Sequence, residues 1–212
     1  EIIEEFGNQM KVRASINNNF LNLEPGNQLV ADRGKVDIRH IQLGILDKVA
    51  ENPYLLTFFC DLFSGKSQPI INHAKVDRAL KQANQFNFNK SQTEAFSFSY
   101  ASENFYLIQG PPGTGKTWVL AYLAALLAQE GQRVLVTAFT HRAINNALIK
   151  IAETTNCANV AKIGQWYQAN DSGFEKNHIS NYENLDSSPY KPNSEGVILG
   201  ATCFSLRTKR LQ

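Results

Sequence analysis

The sequence feature that most constrains the fold of this chain is an eight-residue motif near its middle. Residues 110–117 read Gly-Pro-Pro-Gly-Thr-Gly-Lys-Thr, which matches the pattern G-x-x-x-x-G-K-S/T. The motif follows an apolar run at 105–109, predicted to be a strand, and precedes an apolar helical segment at 117–129. Glycines in this setting let backbone amides surround a phosphate group, and the helix N-terminus adds the positive end of its dipole. The motif predicts a phosphate-binding loop; the alternative, a chance glycine-proline turn, is disfavoured by the flanking segments.

Beyond the motif, apolar strand-like runs alternate with helical segments. Strands are predicted at 133–138, 159–164 and 196–202, with a helix at 143–155. This alternation requires crossover connections, so the predicted fold class is α/β, a parallel sheet with helices on both faces. A polar insert at 164–195 interrupts the pattern and carries five aromatic residues: Trp166, Tyr167, Phe174, Tyr182 and Tyr190. Stacking on bases is one role for such aromatics, but a solvated insertion around a small hydrophobic plug is the favoured interpretation.

Residues 1–85 are predicted to form a mainly helical accessory region before the α/β domain at 86–212. Helical spacing of apolar residues begins near Asp37, and Asn52-Pro53 supplies an N-cap and a first-turn proline for a second helix. The predicted buried face of that helix comprises Leu55, Phe58, Phe59 and Leu62. Residues 64–89 are polar and are interpreted as a linker with one short helix. The next helix is expected to start with a capping box formed by Ser91 and Glu94.

Composition excludes several classes of protein. The 212 residues include 21 Lys+Arg and 19 Asp+Glu, a net charge of +2, so no basic excess by itself indicates a nucleic-acid partner. The three cysteines are widely spaced and form no C-x-x-C pair, which argues against a disulfide framework or a zinc cluster. The longest apolar run, at 118–128, has eleven residues, short of the roughly 20 that cross a bilayer. With no secretory signal pattern at the N-terminus, we expect a cytoplasmic location.

The polar side chains in and before the motif have distinct expected roles. Lys116 is expected against the β- and γ-phosphates of a nucleotide, and Thr117 is expected to bind Mg²⁺ through its hydroxyl group. The amide of Gln92 can donate to one edge atom of adenine and accept from its exocyclic amine. Guanine presents the opposite pattern, so Gln92 favours ATP. On its own, the fragment around Gln92 is also that of a surface residue in a first helical turn.

Four ordered motifs carry a resemblance to a known family. They are Phe-Asn-Lys-Ser-Gln-Thr-Glu-Ala-Phe at 88–96, the phosphate loop with its lead-in at 107–117, Val-Leu-Val-Thr-Ala-Phe-Thr-His-Arg-Ala-Ile-Asn-Asn-Ala-Leu at 134–148, and Val-Ile-Leu-Gly-Ala-Thr-Cys at 197–203. In order and content they resemble the Q motif, motif I, motif Ia and the following Thr-Cys motif of superfamily 1 helicases, 5′-to-3′ branch. The region before residue 85 is similar to the helical lead-in of bacterial proteins that join a RecB-like nuclease to such a helicase.

The resemblance implies a RecA-like first motor domain that binds ATP and Mg²⁺. The implied nucleotide site consists of Gln92, Gly110, Gly113, Thr114, Gly115, Lys116, Thr117 and Trp118, with Lys116 and Thr117 as catalytic residues. The implied contacts to the backbone of a single strand come from Thr140, His141, Arg142 and Thr202. From the residues alone, Thr140 is equally a cap for the helix that follows it.

The implied partners are single-stranded DNA or RNA, with DNA favoured, and the remainder of the same polypeptide, including a second RecA-like domain and a possible nuclease domain. No predicted strand ends in the acidic Mg²⁺-binding motif that such a motor needs, so we expect the domain to be truncated before the Walker B motif. On that expectation the chain alone hydrolyses ATP negligibly. A noncatalytic ATP-sensing scaffold is the alternative function. A small-molecule P-loop kinase needs a substrate lid and an acidic base that we do not find.

Overall fold

The computed structural model describes residues 2–6, 9–12, 39–155, 159–165, 172–190 and 194–205. The chain divides into two compact units, Glu1–Ser67 and Gln68–Gln212. This division lies before the boundary predicted at 85/86, because helix α3 (His73–Ala83) packs within the second unit against helix α4 (Lys90–Ala101). Among the described residues, no helix is both long enough and apolar enough to cross a membrane.

The first unit contains a short hairpin and a pair of helices. Strand β1 (Ile2–Phe6) pairs antiparallel with β2 (Gln9–Val12), and helix α1 (Arg39–Glu51) precedes α2 (Pro53–Phe63). Asn52 caps α2 as predicted, since its Oδ1 accepts hydrogen bonds from the backbone N–H groups of Tyr54 and Leu55.

The face of α2 that was predicted to be buried is largely accessible. Leu55 is 43% and Phe58 38% exposed, and neither α1 nor α2 contains a buried residue. A helix buries its apolar stripe only against another element, and the pairing of α1 with α2 covers too little of it. The prediction is therefore wrong for Leu55 and Phe58, whereas Phe59 and Leu62 are half-buried.

The second unit is built on a four-stranded parallel sheet, as the alternating pattern predicted. Its strands are β3 (Arg133–Ala138), β4 (Val160–Ile163), β5 (Ser180–Tyr182) and β6 (Val197–Thr202), in the order β3-β6-β4-β5. Ala138 is paired with Thr202, so β3 and β6 end side by side. Besides α3 and α4, the helices of this unit are α5 (Lys116–Gln129), α6 (His141–Thr154) and α7 (Ser172–Lys176).

One core joins the sheet to α5 and α6. Its buried residues from the two helices are Ala121, Ala124, Ala128, Ile144, Ala147, Leu148 and Ile151. Gly200 of β6 allows α6 to lie close to the sheet, because a Cβ there would be 2.6 Å from Leu148 Cδ1 and 2.7 Å from Ile144 Cγ2. In a closely packed interior, a side chain at this position would push α6 away from the sheet.

A second core joins α3, α4 and α5. Its buried residues are Ala79, Ala83, Phe96, Tyr100, Val119 and Leu126. Phe86 stacks on Tyr122 with 4.1 Å between ring centroids, and Phe88 contacts Tyr122 edge-on. Residues 64–89 are therefore not the linker that their polar composition predicted, since α3 and the aromatic residues after it are packed into the unit.

The insert at 164–195 contributes structure to the sheet. It contains α7 and β5, and β5 extends the sheet by pairing with β4. Phe174 is 4% and Ile179 7% exposed, and both belong to the core shared with α6. The described part of the insertion is thus not a solvated loop, and its hydrophobic plug, Phe174 and Ile179, is part of the main core. Trp166 and Tyr167 lie outside the described residues.

The strand predicted at 105–109 is absent from the described structure. Leu107 is 77% and Ile108 41% exposed. A strand needs a neighbour for its backbone hydrogen bonds, and none of the described strands pairs with this segment. The prediction is therefore wrong for the structure described, in which the phosphate-loop motif follows an apolar but irregular segment.

Candidate functional site

Helix α4 begins with a capping box that brings Gln92 to the candidate site. Asn89 Oδ1 accepts a hydrogen bond from the backbone N–H of Gln92 at 2.9 Å, and Gln92 Oε1 accepts one from the backbone N–H of Asn89 at 3.0 Å. The box predicted from Ser91 and Glu94 is therefore wrong, because the same arrangement forms two residues earlier with Asn and Gln. The side chain of Gln92 consequently reaches back past the start of the helix.

The loop of residues 110–117 is held by its own carbonyl groups. Lys116 Nζ donates to the carbonyl oxygens of Gly110 at 2.6 Å and Pro111 at 2.7 Å. Gly113 and Gly115 have φ angles of +80° and +81°, the left-handed region that favours glycine. Lys116 is exposed, so its ammonium group, now held by neutral carbonyls, can turn to an anion that reaches the loop.

Helix α5 starts without a side-chain cap. The helices α2, α3, α4 and α6 each begin with an Asn or Thr whose side-chain oxygen accepts a hydrogen bond from the first turn. Helix α5 begins after Gly115 with no such bond. The first N–H groups of a helix need acceptors, and the helix dipole makes the same end attractive to negative charge. At α5 no side chain fills this role, so a phosphate oxygen can act as acceptor there, as it does in nucleotide sites.

Gln92 bridges α4 and the loop. Its Nε2 donates to the carbonyl oxygen of Thr114 at 3.1 Å, while its Oε1 accepts the capping-box hydrogen bond. A glutamine amide has two N–H donors and an oxygen with two lone pairs, so one donor and one acceptor position remain. A neighbouring donor and acceptor match the N7 atom and the N6 amine of adenine.

Two cavities flank the loop. One, of about 390 Å³, is lined by Asn89, Gln92 and Lys116 and lies between the start of α4 and the loop. The other, of about 330 Å³, is lined by Lys116, Thr117 and Asn146 and lies between the start of α5 and the end of β3. Lys116 lines both cavities, so an anion at this lysine has space on either side.

Trp118 is placed differently from the polar side chains predicted for the nucleotide site. Its ring packs at a tilt against Tyr122, with 5.6 Å between centroids, and Lys150 Nζ lies 4.5 Å from its centroid. The ring thus joins α5 to α6 through a cation–π contact. It lines neither of the two cavities beside the loop.

The residues predicted to contact nucleic acid lie at the carboxyl ends of β3 and β6. Thr140 Oγ1 accepts a hydrogen bond from the N–H of Ala143 at 3.2 Å, which caps α6. Arg142 is exposed and His141 is half-buried. Thr202, by contrast, is 3% exposed, and its hydroxyl group is 2.9 Å from Ser205 Oγ. Thr140 and Arg142 are accessible at this edge, whereas the hydroxyl of Thr202 is used inside the turn after β6.

Two polar residues of the site were not predicted from the sequence. Asn89 holds Gln92, and Asn146 lines the cavity next to Thr117. The Asn-x-x-Gln spacing at 89–92 was a usable signal, because it is a variant of the capping-box pattern. Asn146 has no comparable local signal, since only the packing of α6 beside α5 brings it to the cavity.

Comparisons with known proteins find similarity in this part of the chain. A family model described as an AAA domain matches residues 87–187. The DNA replication ATP-dependent helicase/nuclease DNA2 of Saccharomyces cerevisiae is 35% identical over 121 residues, 56% of this chain and 8% of that protein. The protein of the same name from Homo sapiens is 33% identical over 122 residues, 52% of this chain and 11% of that protein.

A third relative has a different name. The DNA polymerase alpha-associated DNA helicase A of Schizosaccharomyces pombe is 30% identical over 117 residues, 55% of this chain and 17% of that protein. The chain thus spans less than a fifth of the length of each of these relatives. Together with the parallel α/β fold and the loop at 110–117, these matches show that residues 87–187 are similar to an AAA domain and that the chain is similar to part of these helicases.

Proposed function

We propose that this chain provides the ATP-binding part of an ATP-dependent helicase or translocase that acts on single-stranded nucleic acid. The observation that carries the proposal is the start of α5, where an uncapped helix N-terminus adjoins the exposed ammonium group of Lys116. Backbone N–H groups in need of acceptors and a cation at one point suit the triphosphate of a nucleotide. Gln92 adds the donor and acceptor that suit adenine.

Thr117 is the proposed Mg²⁺ ligand. Its side chain is exposed next to Lys116 and lines the cavity at the end of β3. A hydroxyl oxygen together with phosphate oxygens fits the preference of Mg²⁺ for oxygen ligands. An ion bound there supplies positive charge to the phosphates, in addition to that of Lys116.

Single-stranded DNA is the proposed polymer substrate. The relatives described above are, by name, DNA helicases. Thr140 and Arg142 present a hydroxyl group and a cation near the end of β3, and such groups bind the sugar-phosphate backbone whatever its sequence. Ala138, the last residue of β3, lines the cavity that contains Thr117. The two proposed sites therefore adjoin the same strand end, a short path for coupling between them.

ATP hydrolysis needs groups beyond those described: an acidic residue for the metal and attacking water, and an arginine that stabilises the transition state. We propose that the chain alone binds ATP but hydrolyses it negligibly, and that the missing groups come from the rest of the motor.

Binding of a fluorescent ATP analogue, with and without Mg²⁺, tests the nucleotide site. We expect ATP binding that weakens about 10- to 100-fold in Lys116→Ala, weakens less in Gln92→Ala and is competed poorly by GTP. A folded wild-type chain that binds no ATP at about 1 mM, the upper end of usual nucleotide affinities, contradicts the proposal.

Fluorescence anisotropy with labelled oligodeoxythymidine tests the proposed binding site for single-stranded nucleic acid. Arg142→Ala should weaken binding and reduce its salt dependence by about one phosphate contact. Arg133→Ala is the matched control, because Arg133 lies at the opposite end of β3. Equal effects of the two substitutions would mean that the oligonucleotide binds elsewhere on the protein. Tighter binding of oligouridine than of oligodeoxythymidine would indicate RNA as the substrate.

A further inference from the structure

The amide orientation of Gln92 is set by two groups that cannot exchange roles. The backbone N–H of Asn89 only donates, and its nitrogen lies 3.0 Å from Gln92 Oε1. The carbonyl oxygen of Thr114 only accepts, and it lies 3.1 Å from Gln92 Nε2. Rotating the amide by half a turn would set donor against donor and acceptor against acceptor, so these contacts favour one orientation.

This orientation decides what Gln92 offers to a base. The remaining Nε2 hydrogen and Oε1 lone pair fit the N7 atom and the N6 amine of adenine. Guanine carries the oxygen O6 where adenine carries the amine, and that oxygen would meet Gln92 Oε1. An amide that was free to rotate would lose its fixed match to adenine, whereas guanine, whose N7 and O6 both accept, meets the amide oxygen in either orientation.

We infer that Asn89 is a positioning residue for base selection: by fixing the amide of Gln92, it makes the site prefer adenine to guanine nucleotides. The inference rests on the nucleotide site proposed above. Asn89 takes part in both hydrogen bonds of the capping box. Its side-chain oxygen accepts from the backbone N–H of Gln92, and its own backbone N–H donates to the side-chain oxygen of Gln92.

The same contacts join base selection to the phosphate-binding loop. Thr114, which orients the Gln92 nitrogen, is part of that loop. Gly115, the next residue, leaves room for the amide, because a Cβ there would lie 2.5 Å from Gln92 Nε2. A movement of the loop on phosphate binding would therefore move the carbonyl group that orients Gln92.

Substitutions at Asn89 test this inference in graded steps. Asn89 has a φ angle of −74°, which proline adopts, so Asn89→Pro removes the N–H donor and the side-chain oxygen with little change of backbone. Asn89→Gly keeps the N–H and removes the oxygen, whereas Asn89→Asp keeps both. The matched control is Asn72→Gly, which removes the corresponding cap of α3.

Competition of ATP and GTP against a fluorescent nucleotide measures the selectivity of each variant. We expect Asn89→Asp and Asn72→Gly to keep the wild-type preference for ATP. In Asn89→Pro the preference for ATP over GTP should fall about 3- to 10-fold, which corresponds to the free energy of one hydrogen bond. The preference of Asn89→Gly should lie between those of the wild type and Asn89→Pro. GTP affinity should change little while ATP affinity falls. Equal losses of both affinities in Asn89→Pro would indicate a merely structural role and overturn the inference.

A second measurement separates this inference from the proposed function. If the wild-type chain binds no ATP, the proposed function fails, and the orientation of Gln92 is then judged in the nucleotide-free protein by NMR exchange of its two side-chain amide protons. One protected proton in the wild type that loses its protection in Asn89→Pro supports the inference. Equally fast exchange of both protons in the wild type overturns it.

Discussion

Helices α5 and α6 have the same length and pack on the same strands, but they begin in different ways. Each has 14 residues and contacts β3 and β6. Thr140 completes the first turn of α6 with its own hydroxyl group, whereas α5 follows the left-handed Gly115 without a side-chain cap. The difference separates a helix start that is capped by a side chain of its own segment from one that has no side-chain cap and is open to a ligand.

The two helices also differ in how much of their surface is covered. Helix α5 contributes to both cores, with Ala121 in the core of the sheet and Val119 and Leu126 in the core with α3 and α4. The buried residues of α6, such as Ile144 and Ile151, belong to the core of the sheet. Packing on two sides explains why α5 is apolar nearly all round, and it gives the phosphate-binding loop a rigid support.

The largest expected effect is the loss of charge at the start of α5. Lys116→Ala removes the ammonium group of the loop, so ATP affinity should fall about 10- to 100-fold, the value of a charge-assisted hydrogen bond. Because Lys116 is exposed, the loss of its two hydrogen bonds to loop carbonyls should lower the melting temperature only slightly. Calorimetric titration with ATP measures the affinity, with Lys81→Ala on α3 as the control for a lost charge. Unchanged ATP affinity in Lys116→Ala would mean that the start of α5 does not bind the nucleotide through this lysine, and α5 and α6 would then differ only in their caps.

Gly115→Ala tests the backbone conformation that precedes α5. A non-glycine residue at a φ of +81° costs about 1–2 kcal/mol, and the new Cβ would displace the amide of Gln92. We expect the free energy of unfolding to fall by that amount and ATP binding to weaken.

Gly131→Ala is the matched control at the other end of α5. Its φ is +80°, and its Cβ would make only ordinary contact with Glu195. This variant should lose similar stability in urea unfolding and keep its ATP affinity. Equal ATP affinities of the two variants would show that the space beside Gln92 does not matter for the nucleotide.

The elements that were predicted correctly from the sequence have local signals. Strand β3 has the predicted bounds, and α5, α6 and β6 begin within two residues of their predicted starts. Each is a long apolar or periodic segment, and their alternation was enough to predict a parallel sheet. The phosphate-binding loop was predictable for the same reason, because its residues are contiguous in the sequence.

The elements that were missed depend on tertiary contacts. One short helix was predicted at 64–89, but not that Ala79 and Ala83 would pack α3 into the second unit, and β5, which was not predicted, has just three residues. The segment at 105–109 is apolar, but a strand also needs a partner. The capping box was misplaced because two such patterns overlap at 89–94, and the contact of Gln92 with Thr114, 22 residues away, favours the earlier one.

Thr140→Ala should lower the stability of the protein, whereas Lys116→Ala at α5 should lower its affinity for ATP. Without the hydroxyl group, the N–H of Ala143 loses its acceptor, so the free energy of unfolding should fall by about 1 kcal/mol. Thr140→Ser keeps an oxygen in this position and should restore most of the loss. Urea unfolding of the three proteins measures the effect. If Thr140→Ala is as stable as the wild type, the start of α6 does not depend on its cap, and the two helices differ less than the structure indicates.

The smallest expected effect is at the far end of α5, where Glu130 follows the helix. Tyr100 Oη donates to Glu130 Oε1 at 2.7 Å, and Arg78 is bonded to the same oxygen at 2.7 Å. Because Glu130 keeps its contact with Arg78, Tyr100→Phe should lower the free energy of unfolding by only about 0.5–1 kcal/mol near neutral pH.

The pH dependence of that difference shows whether the hydroxyl proton of Tyr100 holds this end of α5. Burial, and then the hydrogen bond and negative charge of Glu130, raise the pKa of Tyr100 above its usual 10.0, against a lowering by Arg78. Folding therefore favours the protonated phenol, whose contribution is complete below about pH 10 and is lost as the pH rises through the higher pKa of the folded protein. We expect the stability difference between wild type and Tyr100→Phe to be constant up to about pH 9 and to shrink above about pH 10. A difference that stays constant or widens above pH 10 would mean that α5 is fixed at this end by packing and the Arg78 ion pair, without help from the phenol.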